Sequence, residues 1–270
     1  MQLTNLSALF VENTIIRSEF LGREVQVDFY LPKNIADPSE MNMLLINDGQ
    51  NMKELGLKKI LEEMFSGEKI QPVLSVAIHA SEQRKMEYGV AIEADYLGRG
   101  ANASHYTSFV LKELLVFIRQ RFPQFYFRHK SFAGFSLGGL MALDIVWNYP
   151  EHFRSAGVFS GSLWWRNLDD KHEDYSDDIN RIMHQQIKNG SMHDGQKFFF
   201  STGSLDETND RNKNGIIDSI DDTVSLIADL ESLGYQTGKD IRYINYEDGK
   251  HDIVTWSRAM PEFLNWAFAG

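Results

Sequence analysis

Ala133-Gly134-Phe135-Ser136-Leu137-Gly138-Gly139-Leu140 decides how this chain of 270 residues is read. Gly134, Ser136 and Gly138 form a Gly-x-Ser-x-Gly pattern. Ser131-Phe132-Ala133 before it fits the end of a buried strand. The mostly apolar run from Leu140 to Trp147 after it is long enough for a helix, which Asn148-Tyr149-Pro150 closes. A serine on a sharp strand-to-helix turn needs small neighbours, because its backbone is strained and the helix packs close to the strand. Its hydroxyl then projects above the end of the sheet, where a substrate carbonyl can reach it.

The surrounding units repeat the strand–helix theme. Ile15 to Phe20 and the alternating Val25-x-Val27-x-Phe29-x-Leu31 flank Leu21-Gly22-Arg23, so residues 14–32 are expected to form a β-hairpin. Met43-Leu44-Leu45-Ile46 is continuously apolar, as a strand covered on both faces must be. It leads into the turn-forming Asn47-Asp48-Gly49-Gln50-Asn51. A helix is expected over 58–65, a strand over 73–78, a long aperiodic loop over 79–104 and a helix over 106–122. Strands follow over 154–159, 197–201 and 241–246, with helices marked by Val224, Ile227, Leu230 and Leu233 and by the run 253–268. The pattern is α/β: a mostly parallel central sheet with helices on both faces. The whole chain, 1–270, is expected to be a single domain, with a lid-like insertion at about 166–196, helical over 179–188, and a polar insertion at 206–221.

Composition narrows the function. Hydrophobic residues at 43% and charged residues at 24% are globular values. A net charge of −11 repels nucleic acid and anionic membrane, so neither is expected as a partner. The chain has no cysteine, which excludes disulfides, thiolate metal sites and a cysteine nucleophile. No run approaches the length of a membrane span. Met1-Gln2-Leu3-Thr4-Asn5-Leu6 lacks a basic start and an apolar core, so no signal peptide is expected and the reading is cytoplasmic.

A serine hydroxyl becomes a nucleophile when a histidine takes its proton and a carboxylate orients that histidine. In this architecture the order is Ser, then Asp or Glu, then His. Of eight histidines, His251 alone lies beyond residue 193, in the loop leaving the last expected strand. The acid belongs after the preceding strand, in Gly203-Ser204-Leu205-Asp206-Glu207. Asp206 suits the tight turn better than the longer Glu207. The tetrahedral intermediate needs backbone donors: the amide of Leu137 is one, and Asp48-Gly49-Gln50 is the candidate for the other. Arg84, Trp164 and Trp165 are candidates to line the pocket.

These motifs resemble the putative esterase family, the esterase D and enterochelin-esterase-like branch of the α/β-hydrolases, which also holds feruloyl and acetylxylan esterases. The resemblance is carried by Leu45 to Asn51, Arg84 with Glu87-Tyr88-Gly89, Gly98-Arg99-Gly100, Gly134 to Gly139 and Ser160-Gly161-Ser162-Leu163-Trp164-Trp165. It continues through Gly249-Lys250-His251-Asp252, Trp256, Pro261, Phe263, Leu264 and Trp266. It implies an α/β-hydrolase fold, Ser136, Asp206 and His251 as triad, and the Gln50 and Leu137 amides as oxyanion donors. The chain departs from the family in its acidic, Asn-rich insertion.

Within that insertion, Asp210 to Asp221 follows the twelve-residue calcium-loop pattern Asp-x-[Asp/Asn]-x-[Asp/Asn]-Gly-x5-Glu, with Asp at the last place. Asp210, Asn212, Asn214, Asp218 and Asp221, with the carbonyl of Ile216, are the expected ligands of a structural Ca2+. No organic cofactor is implied. The expected function is that of a serine esterase acting on a small-molecule or glycan-linked ester. An acyltransferase on the same scaffold, or a non-catalytic calcium-dependent binding module, are the competing readings.

Overall fold

The computed structural model describes residues 8–33, 35 and 37–269. The first six residues, read above for a leader, lie outside them. One eight-stranded sheet runs through the described chain: β1 (Leu9–Ser18), β2 (Arg23–Pro32), β3 (Met41–Asn47), β4 (Val73–Ile78), β5 (Phe127–Phe135), β6 (Ser155–Phe159), β7 (Lys197–Leu205) and β8 (Ile241–Lys250). Their spatial order is β1-β2-β4-β3-β5-β6-β7-β8. β1 and β2 form the expected hairpin, and β2 joins β4 antiparallel; every other pairing is parallel. The hairpin starts five residues earlier than its β-branched run at Thr14-Ile15-Ile16, because β1 is an edge strand with a mixed buried and exposed face.

The principal helices are α1 (Leu57–Ser66), α2 (residues 103–121), α3 (Leu137–Asn148), α4 (Ile182–Lys188), α5 (Asp218–Ser232) and α6 (Ile253–Phe268). Helix α2 carries a π-helical stretch, Phe109–Leu114, in its middle. The burial of β3 explains its unbroken apolar sequence. Met43 and Leu45 pack into the core shared with α2, α3, α4 and α5. Leu44 and Ile46 pack into the core shared with α1 and α6 on the opposite face. Alternate side chains of one strand therefore feed two apolar layers.

The insertions depart from expectation in detail. The helix read over 179–188 is broken at Arg181 into Asp177–Asn180 and α4. Arg181 is extended there, with its buried guanidinium on Asp222 (2.7 Å). Helix α5 begins at Asp218, six residues before its first expected apolar mark, because acidic side chains in a first turn suit the positive end of the helix dipole. Among the described residues no helix is long and apolar enough to cross a membrane.

Candidate active site

Ser136 stands between β5 and α3 with φ 54° and ψ −123°, a conformation that a non-glycine residue adopts only when its surroundings impose it. The surroundings are backbone. The Ser136 amide donates to the carbonyl of Phe159 (2.9 Å) at the end of β6, and its own carbonyl accepts from Ser162 (3.1 Å). A Cβ on Gly134 would collide with the carbonyl of Gly138, and one on Gly138 would lie 2.7 Å from the Asp48 carboxylate. The two motif glycines thus allow the turn to close and the neighbouring loop to approach. The Ser136 hydroxyl lies 3.4 Å from that of Ser162. The Leu137 amide is the first of α3, a position with no acceptor inside the helix.

The loop after β3 is held against this turn from two sides. Asp48, buried and left-handed at φ 61°, receives both arms of Arg84: Nε on Oδ1 at 2.6 Å and a terminal nitrogen on Oδ2 at 2.8 Å. The same terminal nitrogen reaches the carbonyl of Phe135, the residue before the serine (3.3 Å). Asn47 donates to the carbonyl of Gly138 (2.8 Å) and accepts from the hydroxyl of Tyr106 on α2 (2.6 Å). Gly49 has no room for a side chain, since a Cβ would sit 2.6 Å from the ring of His79. Gln50 follows, with its side-chain oxygen on the amide of Ala80 (2.9 Å).

Asp206 and His251 leave neighbouring strand ends side by side. The last rung between β7 and β8 pairs Leu205 with Lys250, so the next residue on each strand is one of the two. Gly203 and Gly249 make the close approach: a Cβ on Gly249 would fall 3.0 Å from the Cα of Gly203. Both oxygens of Asp206 are buried without a hydrogen-bond partner among the described residues. Burial pushes this carboxyl above the usual aspartate range, against the opposing pull of the Gly203 backbone, Ser160 and the His251 ring. Burial lowers His251 below the ordinary imidazole value; Asp206 opposes that shift and the Arg84 guanidinium reinforces it. The imidazole stands edge-on to Trp256, 5.2 Å between centroids. The Trp256 indole nitrogen is in turn held by the Ser160 hydroxyl (3.0 Å). Among the described residues no hydrogen bond joins Asp206 to the His251 ring, as is common before substrate draws such groups together.

Glu207 turns elsewhere. It lines a polar cavity of about 550 Å³ together with Tyr96, Arg99, Trp164, Arg166 and Arg211. Burial, with Asp218 and Asp222 nearby, raises its carboxyl. Arg99 lies over the Trp164 ring at 4.9 Å and grips buried Asp95 (2.6 Å). Arg166 covers the Tyr96 ring at 5.3 Å and pairs with Asp170 (3.2 Å).

A family model described as Putative esterase matches residues 18–267. The chain belongs to that family. This esterase-family chain is 25% identical over 160 residues to an uncharacterized protein, YbbA, of Bacillus subtilis, a match covering 56% of the chain and 62% of the relative. Its structure is similar to the enterobactin esterase FES of Shigella flexneri solved in the presence of enterobactin: TM-score 0.74, 20% identity, 97% of this chain and 59% of that one. It is similar also to the siderophore hydrolase EstB of Aspergillus nidulans: TM-score 0.74, 15% identity, 100% and 98% of the two chains. The chain therefore spans about 60% of the length of the curated relative and of the Shigella esterase. The fold is the α/β-hydrolase fold.

The residues expected at the site fall into three groups. Ser136, Leu137, Gln50, Asp206 and His251 all lie at the ends of β3, β5, β7 and β8 on one side of the sheet. Arg84 reaches the same place, but its donors are engaged by Asp48 and Phe135 rather than turned to a pocket. Trp164 lines the cavity. Trp165 does not: it is fully buried beneath it, against Gly89 and Gly100, whose missing side chains make room for the indole. Asn47, Arg99 and Ser162 stand within the motif stretches quoted above, though no role was read for them there. Tyr106 and Arg166 lie outside those stretches and carry no such signal.

The calcium-loop residues gather in part. Asn212 and Asn214 both donate to Asp221 (2.8 and 3.2 Å), and Asp210 caps the amides of Asn214 (3.1 Å) and Gly215 (2.9 Å). Asp218 is drawn away by the Arg211 amide (2.9 Å) and guanidinium (3.3 Å). Among the described residues no group of three or more His, Asp or Glu side chains converges to hold a metal ion.

Proposed function

We propose that the chain is a serine carboxylic-ester hydrolase that works through an acyl-enzyme. His251 takes the Ser136 proton as the serine oxygen bonds to the ester carbon, and the carbonyl oxygen becomes an oxyanion held by the Leu137 and Gln50 amides. Collapse breaks the bond to the alcohol, which leaves with the proton from His251. Water then attacks the acyl group while His251 takes its proton, and the second collapse returns that proton to Ser136. Asp206 holds the imidazole in the working tautomer and stabilises its cation.

One observation carries this reading: a strained serine elbow shares its end of the sheet with an acid and a histidine that leave paired strands at adjacent positions. The family match supports ester chemistry, and the names of similar structures support a small-molecule ester. The cavity of guanidinium-covered rings beside Glu207 suits the polar portion of such an ester. Ser136→Ala tests the assignment with p-nitrophenyl acetate. Loss of a nucleophile in such a triad costs on the order of a million-fold in kcat. Turnover near wild type with the fold intact would rule it out.

A further inference from the structure

Asp28 is out of place in its strand. It falls between Val27 and Phe29 of β2 and pairs with Ala77 of β4, on the face where Tyr30 and Ala77 join the apolar layer shared with α1 and α6. The carboxylate is buried, and among the described residues no lysine or arginine pairs with it. Its partner is His79, the first residue beyond β4, whose ring Nε2 donates to Asp28 Oδ2 (2.7 Å). Asn13 donates to the other oxygen (2.7 Å), and the His79 backbone amide donates to the carbonyl of Gln26 (2.9 Å). Burial raises the Asp28 carboxyl, but the hydrogen bonds from His79 and Asn13 outweigh it and hold it below the usual aspartate range. Asp28 is therefore the charged acceptor. Its bond to His79 fixes both the tautomer and the plane of the ring.

That ring is one wall of the loop after β3. A Cβ on Gly49 would fall 2.6 Å from the ring Cδ2 and 2.9 Å from the carbonyl of Ala77, so the Gly49 backbone rests on the ring and on the end of β4 together. Gln50 comes next, and its side-chain oxygen accepts from the amide of Ala80, the residue after His79 (2.9 Å). Asp48, on the other side of Gly49 in the chain, is clasped by Arg84. The Gly49–Gln50 peptide is thus flanked by two charged pairs, neither of which belongs to the proposed triad.

Resting on the esterase reading above, we propose that His79, anchored by Asp28, is a positioning residue that aims the Gln50 amide at the developing oxyanion. A flat ring can lie against backbone while one of its nitrogens is tied to a fixed carboxylate. An aliphatic side chain would fill the same space without fixing a direction. An oxyanion donor acts only when it points to where charge develops, and a misplacement of about 1 Å costs on the order of a hundredfold.

The test is hydrolysis of p-nitrophenyl acetate by wild type, His79→Ala, His79→Gln and Asp28→Leu, each well below its own melting temperature. His79→Ala is expected to lower kcat about 10- to 100-fold while KM stays within about threefold. Phenylboronic acid, whose tetrahedral adduct on Ser136 sets an oxygen before the same donors, should bind more weakly by a similar factor. His79→Gln keeps a donor for Asp28 and should recover most of the loss. The midpoint of kcat/KM against pH should stay that of wild type, because the groups that act on His251 are untouched. A purely structural role would lower the melting temperature and leave kcat and boronate affinity where they were. Wild-type kcat in His79→Ala, a change confined to KM, or no recovery in His79→Gln overturns the proposal. Should His79→Ala fail to fold, Asp28→Leu decides, since it keeps the ring and removes its anchor: lowered kcat at constant KM supports the proposal, and wild-type kcat overturns it. Ser136→Ala runs beside them. If it turns over, the esterase reading itself falls; if it is inactive while His79→Ala matches wild type, this inference alone falls.

Discussion

His251 meets two opposed influences: burial and Arg84 favour its neutral form, and Asp206 favours its cation. Burial and Arg84 together outweigh the carboxylate, so the imidazole loses its proton at a lower pH than a free one. In the mechanism proposed above, the neutral imidazole is the form that takes the serine proton. The rising limb of kcat/KM against pH is therefore expected to have its midpoint below the ordinary imidazole value of about 6.5. Arg84→Gln removes one of the lowering influences and should move the limb upward; a pH profile of each protein checks the sign. The acid is separated from its neighbour by direction. Asp206 faces the histidine from a paired strand end, whereas Glu207 lines the polar cavity. Asp206→Asn is expected to lower kcat by up to roughly ten-thousand-fold through loss of the working tautomer. Glu207→Gln should chiefly alter KM. The opposite ranking would transfer the role to Glu207.

At the scale of elements, the loop between β3 and α1 is held by residues distant in the chain. Asp48 adopts its left-handed turn with a buried carboxylate, and Arg84 neutralises it from 36 positions away. Arg84→Ala leaves that carboxylate unpaired and should cost on the order of 3 kcal/mol of stability, read in a denaturant titration. Arg84→Lys keeps the charge but loses the fork and the reach to Phe135. It should hold most of the stability while kcat falls about 10- to 100-fold, because the Gln50 amide is no longer aimed. Equal kcat in the two proteins would show that the loop needs no such clasp. Local rules made much of the candidate site legible. Glycine spacing marks the serine, and chain order singles out His251. The same rules do not reach the clasp, because an ion pair across the fold leaves no periodic trace in an irregular segment. Nor do they separate two adjacent tryptophans, of which Trp164 borders the cavity and Trp165 supports it from below.

The whole molecule is strongly acidic, and residues 206–222, running into the first turns of α5, carry six carboxylates against two basic side chains. Asp210 and Asp221 lie with Asn212 and Asn214 on one side of a loop four residues beyond Asp206. Arg211 occupies the inner side, bridging Asp177, Asp218 and Asp222. Calcium would have to draw Asp218 from that guanidinium to complete its ligand set with the Ile216 carbonyl. If it does, binding stabilises the folded state by about 2.7 kcal/mol at a hundredfold excess over Kd. Melting curves and esterase rates with EDTA, then with Ca2+ or Mg2+, should then differ for the wild type and coincide for Asp210→Ala. Identical curves in the intact protein would leave Arg211 as the only cation the loop requires.

Among the described strands β8 has one neighbour, β7, and it is the strand that leads into His251. An outermost strand opens by itself more readily than the strands enclosed on both sides. Warming should therefore detach His251, the proposed base, while β3, β5 and β6 still hold Ser136 in its strained turn. Between that local fraying and the collapse of the core lies a span of temperature in which the molecule keeps its shape and has stopped turning over, and cooling within it restores the rate without any refolding.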